Sequence, residues 1–150
     1  MVKGGLILAR RSEIVEIARS WLNVPWRHQG RTRLGVDCVG LITIPAKTLG
    51  LSDYDFFDYE RIPGQDPEKF LVHFRKTCRQ IFPVTAAREG DILIFTDRRF
   101  PVHAGIKASL EGFPSVIHAT MAYYRVRETR FTSDWEKALQ YAFAYPNLED

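Results

Sequence analysis

Residues 35–44 read Gly-Val-Asp-Cys-Val-Gly-Leu-Ile-Thr-Ile. Asp37 is a preferred helix N-cap, and the apolar run behind it reads as a buried helix. The helix is predicted to start at Cys38 and run to Leu49, with Gly50 as its stop and Pro45 inside it. A cysteine in a helix's first turn sits beside unpaired N–H groups and a partial positive charge, and both favour its thiolate. The same N–H groups can receive the oxyanion of a tetrahedral intermediate. Cys38 is therefore the candidate nucleophile, and its base must come from a distant part of the chain.

Upstream, Val24–Val36 is a polar, glycine-punctuated loop. Before it, Ile14, Val15, Ile17, Ala18, Trp21 and Leu22 mark one face of a helix, with Ser12 as the expected N-cap and Asn23 as the limit set by Pro25. Downstream, Leu51–Gln65 is a Tyr- and Asp-rich loop, and its aromatics from Tyr54 to Tyr59 read as a surface loop packed by its own side chains ahead of a ligand-binding set. Asp66-Pro67-Glu68 opens another helix, with Phe70, Leu71, Phe74, Cys78, Ile81 and Phe82 at helical spacing and Pro83 as its stop. The period then changes. Asp91–Thr96, Val102–Ala108, Ser115–Thr120 and Tyr123–Glu128 read as strands, followed by a short helix near Ser133–Ala138 and a last strand over Leu139–Tyr145. Helices first and consecutive strands afterwards predict an α+β fold, with N-terminal helices packed on a central antiparallel sheet.

The chain has 150 residues, which fits one domain over residues 1–150. Its net charge is +3 with both signs spread along it, a weak bias that suits an anionic polymer but excludes nucleic acid as the expected partner. No segment approaches the roughly 18 apolar residues of a membrane span. Met1–Arg11 lacks the apolar region and cleavage site of a secretion signal, so a carrier is expected wherever the protein acts outside the cytoplasm. Cys38 and Cys78 have neither zinc spacing nor a disulfide framework, so no metal and no cofactor are expected. Cys78, on the apolar face of its helix, reads as a small buried hydrophobe.

Among the four histidines, His103 opens a predicted strand in Pro-Val-His-Ala-Gly-Ile, and His118 lies on the next strand in Val-Ile-His-Ala. Antiparallel neighbours can place both on one face. One nitrogen of His103 would then bond His118, leaving the other for Cys38, in the logic of a base oriented by a further polar group. His73, in an amphipathic helix, is expected to be partly exposed. His28 reads as a residue that orders its loop or lines a cleft, and Trp26 as one that packs or lines the site.

These pieces resemble the NlpC/P60 cysteine peptidases, which have a papain-like fold and cut bacterial cell-wall peptides. The matching segments are 25–30 (Pro-Trp-Arg-His-Gln-Gly), 35–41 (Gly-Val-Asp-Cys-Val-Gly-Leu), 88–95 (Arg-Glu-Gly-Asp-Ile-Leu-Ile-Phe), 103–106 (His-Ala-Gly-Ile) and 117–119 (Ile-His-Ala). The resemblance implies a Cys38–His103–His118 triad, with Asp37 at a position used to hold the substrate's free amine and Trp26 at a position near the oxyanion; His28, as a cleft-lining residue, would then face the substrate. It implies hydrolysis of peptidoglycan stem peptides, commonly at the γ-linked bond between D-glutamate and a diamino acid. The loop Trp26–Arg31 looks most like the phage-tail and prophage subgroup, which implies phage tail proteins as partners and action in the periplasm or cell wall. Two departures bear on specificity: Trp26 stands where the family has Tyr, and Val39 where it often has Ser. They keep two further readings open, a structural or binding tail-assembly protein and a Cys-His amidase or acyltransferase on another substrate.

Overall fold

The computed structural model describes residues 2–3, 6–61, 66–96 and 102–150. A ribbon of β1 (Val2–Lys3) and β2 (Leu6–Ile7) precedes helix α1 (Arg11–Arg19). A small hairpin, β3 (Arg31–Thr32) with β4 (Gly35–Val36), leads directly into α2 (Cys38–Thr48). Helix α3 (Glu68–Thr77) and strand β5 (Arg79–Gln80) follow. The second half holds β6 (Ile92–Phe95), β7 (His103–Leu110), β8 (Phe113–Thr120) and β9 (Arg125–Arg130), then α4 (Ser133–Ala138) and β10 (Leu139–Ala144). Strands β5 to β10 form one six-stranded sheet in the order β5-β10-β6-β7-β8-β9, antiparallel at every step. The fold is thus mixed helix and sheet, with helices packed on a central antiparallel sheet as the sequence predicts.

Successive side chains of a strand face opposite sides, and β6 uses both. Ile92 and Ile94 join the main core with α1 and α2, while Leu93 and Phe95 join a second core with Ala138, Ala142 and Ala144. That explains the unbroken Ile-Leu-Ile-Phe run, since a strand covered on both faces has no solvent side to alternate with. Helix α2 lies against β7 and β8, and Tyr145 Oη donates to the Ile42 carbonyl at 2.6 Å, tying the end of the last strand to it.

Several boundaries differ from the sequence reading. Ser12 is not the N-cap of α1; Arg10 is, and its N–H donates to Glu13 Oε1 at 3.1 Å. The helix starts earlier because Arg11 is drawn inside, where its guanidinium pairs with the fully buried Asp91. Helix α3 ends at Thr77 rather than near Pro83. Cys78 is already extended, and Arg79 and Gln80 pair with Ala144 and Phe143. Sheet pairing overrides the helical spacing of Ile81 and Phe82. His73 is buried rather than partly exposed, with Nδ1 2.6 Å from Tyr54 Oη, Nε2 2.7 Å from Asp58 Oδ1, and its ring stacked on Phe56. Parts of the loop read over 51–65 (residues 62–65) and of the N-terminal stretch (residues 1, 4 and 5) lie outside the described residues.

Candidate active site

Asp37 has extended backbone geometry, and its Oδ1 accepts from the Gly40 N–H at 2.9 Å, which caps α2 and fixes Cys38 as the first helical residue. The loop before it folds tightly onto the helix start. Val36 N–H donates to the Pro25 carbonyl and Arg27 N–H to the Val36 carbonyl, while Trp26 N–H reaches across to the Tyr124 carbonyl at 2.8 Å. This packing requires missing side chains: a Cβ on Gly40 would sit 2.5 Å from the Gly30 carbonyl oxygen, and one on Gly30 2.3 Å from that of Gly35.

His103 comes from the start of β7 and His118 from β8. Ile106 pairs with Ile117, so in an antiparallel register both histidines fall on the same face, two places apart on the diagonal. His103 Nε2 lies 2.7 Å from His118 Nδ1, and His118 Nε2 lies 2.8 Å from Thr129 Oγ1 on β9. His118 therefore spans two partners, and its contact with His103 leaves Nδ1 of His103 for another. The backbone N–H groups of Ala104 and Val39 act on the Cys38 sulfur, which places it near the start of β7, the strand that His103 opens. Cys38, His103, His118 and Thr129 line one cleft of about 360 Å³, together with Trp26, His28, Asp37 and Tyr59. All six site residues expected from the sequence, Cys38, His103, His118, Asp37, Trp26 and His28, thus border the same cavity. His28 meets Tyr59 edge to face at 5.6 Å.

The electrostatics differ from those expected of a helix N-terminus. Burial, and after it the Asp37 carboxylate, push the Cys38 thiol up to about 12, against the opposing backbone hydrogen bonds and Arg31. Burial lowers His103 to about 4. His118 lies well below its ordinary value because of burial, then His103 and Arg127. At neutral pH the pair is a thiol beside a neutral imidazole. Desolvation and one adjacent anion outweigh the backbone N–H groups and the Arg31 charge that favour the thiolate.

Asp37 is not available to a substrate amine in this arrangement. A carboxylate has about four acceptor positions, and Asp37 fills them within the protein. Oδ1 accepts from Gly40 N and Arg31 Nη1, and Oδ2 from Gln29 N at 2.6 Å and Tyr59 Oη at 2.7 Å. Its side chain is 4% exposed. The sequence reading missed the groups responsible. Arg31 joins Asp37 at 3.0 Å to Asp55 at 3.1 Å and donates to Tyr59 Oη and the Phe56 carbonyl. Lys47 closes the network on Asp55. Tyr59 is no self-packed surface aromatic; it bridges its loop to the helix cap. Thr129 was missed because the predicted strand stopped at Glu128. Among the described residues, no group of three His, Cys, Asp or Glu side chains could hold a metal ion.

No protein-family model and no curated protein matches the sequence. Solved structures do match. An NlpC/P60 family protein from Bacillus cereus superposes with a TM-score of 0.66 at 17% identity, over 92% of this chain and 41% of that one. The NlpC/p60 domain of the peptidoglycan hydrolase SagA gives 0.61 at 20%, over 91% of this chain and 99% of that domain. NlpC2 from Trichomonas vaginalis gives 0.64 at 20%, over 97% and 49%. The chain therefore has the papain-like fold of NlpC/P60 proteins, and it spans under half the length of the Bacillus and Trichomonas chains.

Proposed function

We propose that the chain is a cysteine peptidase that hydrolyses an amide bond in bacterial peptidoglycan stem peptides, at the γ-D-glutamyl–diamino acid linkage. One observation carries this reading: Cys38, at the start of α2, shares a cleft with the hydrogen-bonded His103–His118 pair. His103 Nδ1 takes the thiol proton as the sulfur attacks the carbonyl carbon. First-turn N–H groups of α2 receive the oxyanion. His103 then protonates the leaving amine, giving a thioester, and activates the water that releases the acyl group. His118 and Thr129 hold the imidazole in the tautomer that leaves Nδ1 open. The reading is also supported by the similar fold of the NlpC/p60 domain of the peptidoglycan hydrolase SagA. The resemblance of Trp26–Arg31 to phage-tail and prophage members supports a tail-borne enzyme delivered to the periplasm or cell wall, with tail proteins as partners. The test is lysis of purified cell walls, with mass spectrometry of the fragments. Cys38→Ala should abolish lysis with an unchanged circular dichroism spectrum; equal lysis by that variant rules the mechanism out.

A second reading, a tail-assembly protein that keeps the fold without hydrolysis, draws support from the raised Cys38 thiol and lowered His103. It predicts that the wild-type protein binds cell walls and releases no fragments.

A further inference from the structure

Helix α4 is short, but both of its ends are fixed to the sheet. Phe131 N–H donates to the Pro114 carbonyl at 2.9 Å, and Thr96 N–H to the Ala138 carbonyl at 2.8 Å. Trp135 and Ala138 lie three residues apart and so share one face of the helix, and Ala138 is fully buried in the second core. Trp135 is thereby turned onto the sheet face that carries Phe95, His103 and His118. Phe95 pairs directly with His103 across β6 and β7. Centre to centre, the Trp135 ring lies 5.0 Å from Phe95, 6.2 Å from His103 and 5.2 Å from His118, the last at 88°. Trp135 is half-buried and borders the cleft, whereas His118 is 3% exposed. One aromatic ring thus packs on both members of the 2.7 Å contact between His103 Nε2 and His118 Nδ1 and borders the cleft they share.

We propose that Trp135 is a positioning residue for the base: its indole keeps water off the His103–His118 hydrogen bond and so holds His103 in the neutral tautomer whose Nδ1 is unprotonated. This rests on the peptidase reading above and concerns the base rather than the substrate. Two effects of an indole compete here. Its π face attracts a cation and would favour imidazolium. Its bulk excludes water and disfavours imidazolium. Burial is the leading cause that lowers both histidines, so exclusion of water wins. The surrounding charges are mixed in sign. Cys38 from α2 is a neutral thiol backed by the Asp37 carboxylate, which would favour imidazolium, while Arg127, opposite His118 on β9, disfavours it. Asp134, Glu136 and Lys137 of α4 are exposed. Water at the bond would compete for His103 Nε2 as both donor and acceptor. The tautomers would then mix, and the fraction with Nδ1 protonated cannot take the thiol proton.

The test uses full-length Cys38→Ala protein with nitrogen-15 labelled histidines, followed by NMR across the acid and neutral range. His103 and His118 should titrate below the ordinary value of about 6.5 and show the nitrogen shifts of a single tautomer. Adding W135A should raise the His103 midpoint by about one pH unit or more, a tenfold gain in proton affinity, and mix the tautomers. W135F should restore most of the original behaviour, because a ring still covers the pair. F131A is the control for damage to the same core, since Phe131 packs on Phe95 at 6.0 Å; it should lower Tm and leave the midpoints in place. Where W135A does not fold, W135L should give a smaller rise in the same direction. An unchanged midpoint in the folded variant, a lower one (the sign of a dominant cation–π attraction), or an equal shift in F131A overturns the proposal. Hydrolysis of purified cell walls with Cys38 intact is scored separately, and W135A should move the acid limb of kcat/KM upward with the His103 midpoint. No hydrolysis at any pH, with the NMR shifts as expected, sinks the peptidase reading alone. Hydrolysis whose acid limb and midpoints ignore W135A sinks the role of Trp135 alone.

Discussion

Replacing Arg31 by Met should expose how far the helix start depends on one cation. The Arg31 side chain is 14% exposed, Asp37 4% and Asp55 12%, so the substitution leaves two sequestered carboxylates beside an apolar stem. Breaking a buried ion pair by deleting one partner costs about 3–5 kcal/mol. The low end applies here, because Asp55 keeps Lys47 and Asp37 keeps Gly40 N, Gln29 N and Tyr59 Oη. We expect a loss of about 3 kcal/mol in urea unfolding with an unchanged slope, or a fall in Tm of roughly 6–12 °C for a domain of this size. A second readout is independent of stability. Arg31 acts to lower the Cys38 thiol, so alkylation of Cys38 by iodoacetamide at a fixed alkaline pH should slow in folded Arg31→Met protein. Adding Asp37→Asn should recover part of the lost stability by removing the uncompensated charge. A loss below about 1 kcal/mol, the range of an ordinary surface pair, or a double variant as damaged as the two single losses summed, would refute the reasoning.

A methyl group at Gly105 would lie 2.3 Å from Val116 Cγ2 and 3.2 Å from His118 Cβ. Gly105→Ala should cost about 1–3 kcal/mol by overpacking and lower cell-wall lysis by displacing His118, read by thermal melts and turbidity clearing. Thr129→Val keeps the shape but removes the oxygen 2.8 Å from His118 Nε2. A buried nitrogen left unpaired costs about 1–3 kcal/mol, lysis should fall with it, and Thr129→Ser should restore both. Stability should also fall with acid. With His103 lowered to about 4 in the folded protein and near 6.5 unfolded, the unfolded chain binds the extra proton between those values. Stability is therefore complete above about pH 6.5 and declines as pH drops to about 4, by up to about 3 kcal/mol from this group. Unfolding titrations at several pH values, compared with His103→Gln, should show that slope shrink in the variant.

The parts of the fold legible in the sequence are those settled by local chemistry. The Asp37 cap, the Gly50 stop (φ +70°) and the alternation that marks β7 through β10 each need only a few neighbouring residues. What escaped is settled by distant partners. Arg11 enters the fold because Asp91 waits for it, so α1 starts before its Ser. Cys78 leaves the helix because β10 offers its edge to Arg79 and Gln80. His73 is buried because Tyr54 and Asp58 satisfy both its nitrogens. In the site, Cys38, His103 and His118 were visible because each stands at an element boundary or a fixed strand offset. Arg31 and Tyr59 were not, since nothing in their spacing shows that a hairpin and a loop converge on one carboxylate. Thr129 required the correct length of β9, which one further residue pair decides.

The saturation of Asp37 also bears on how the proposed chemistry starts. A Ser or Asn would cap α2 nearly as well without a charge, and would not raise the neighbouring thiol. The carboxylate is required instead by the loops, because Arg31, Tyr59 and Gln29 all converge on it and a neutral side chain cannot accept from all of them. Anchoring the substrate-side loops is therefore incompatible with a pre-ionised nucleophile. With burial raising the Cys38 thiol and lowering His103, the resting pair is favoured as neutral thiol and neutral imidazole. The proton must move as the sulfur–carbon bond forms, when the charge it leaves behind passes to an oxyanion beside the α2 N–H groups rather than staying on sulfur next to Asp37. Contacts that place the carbonyl carbon against Cys38 then control the rate more than thiol acidity does.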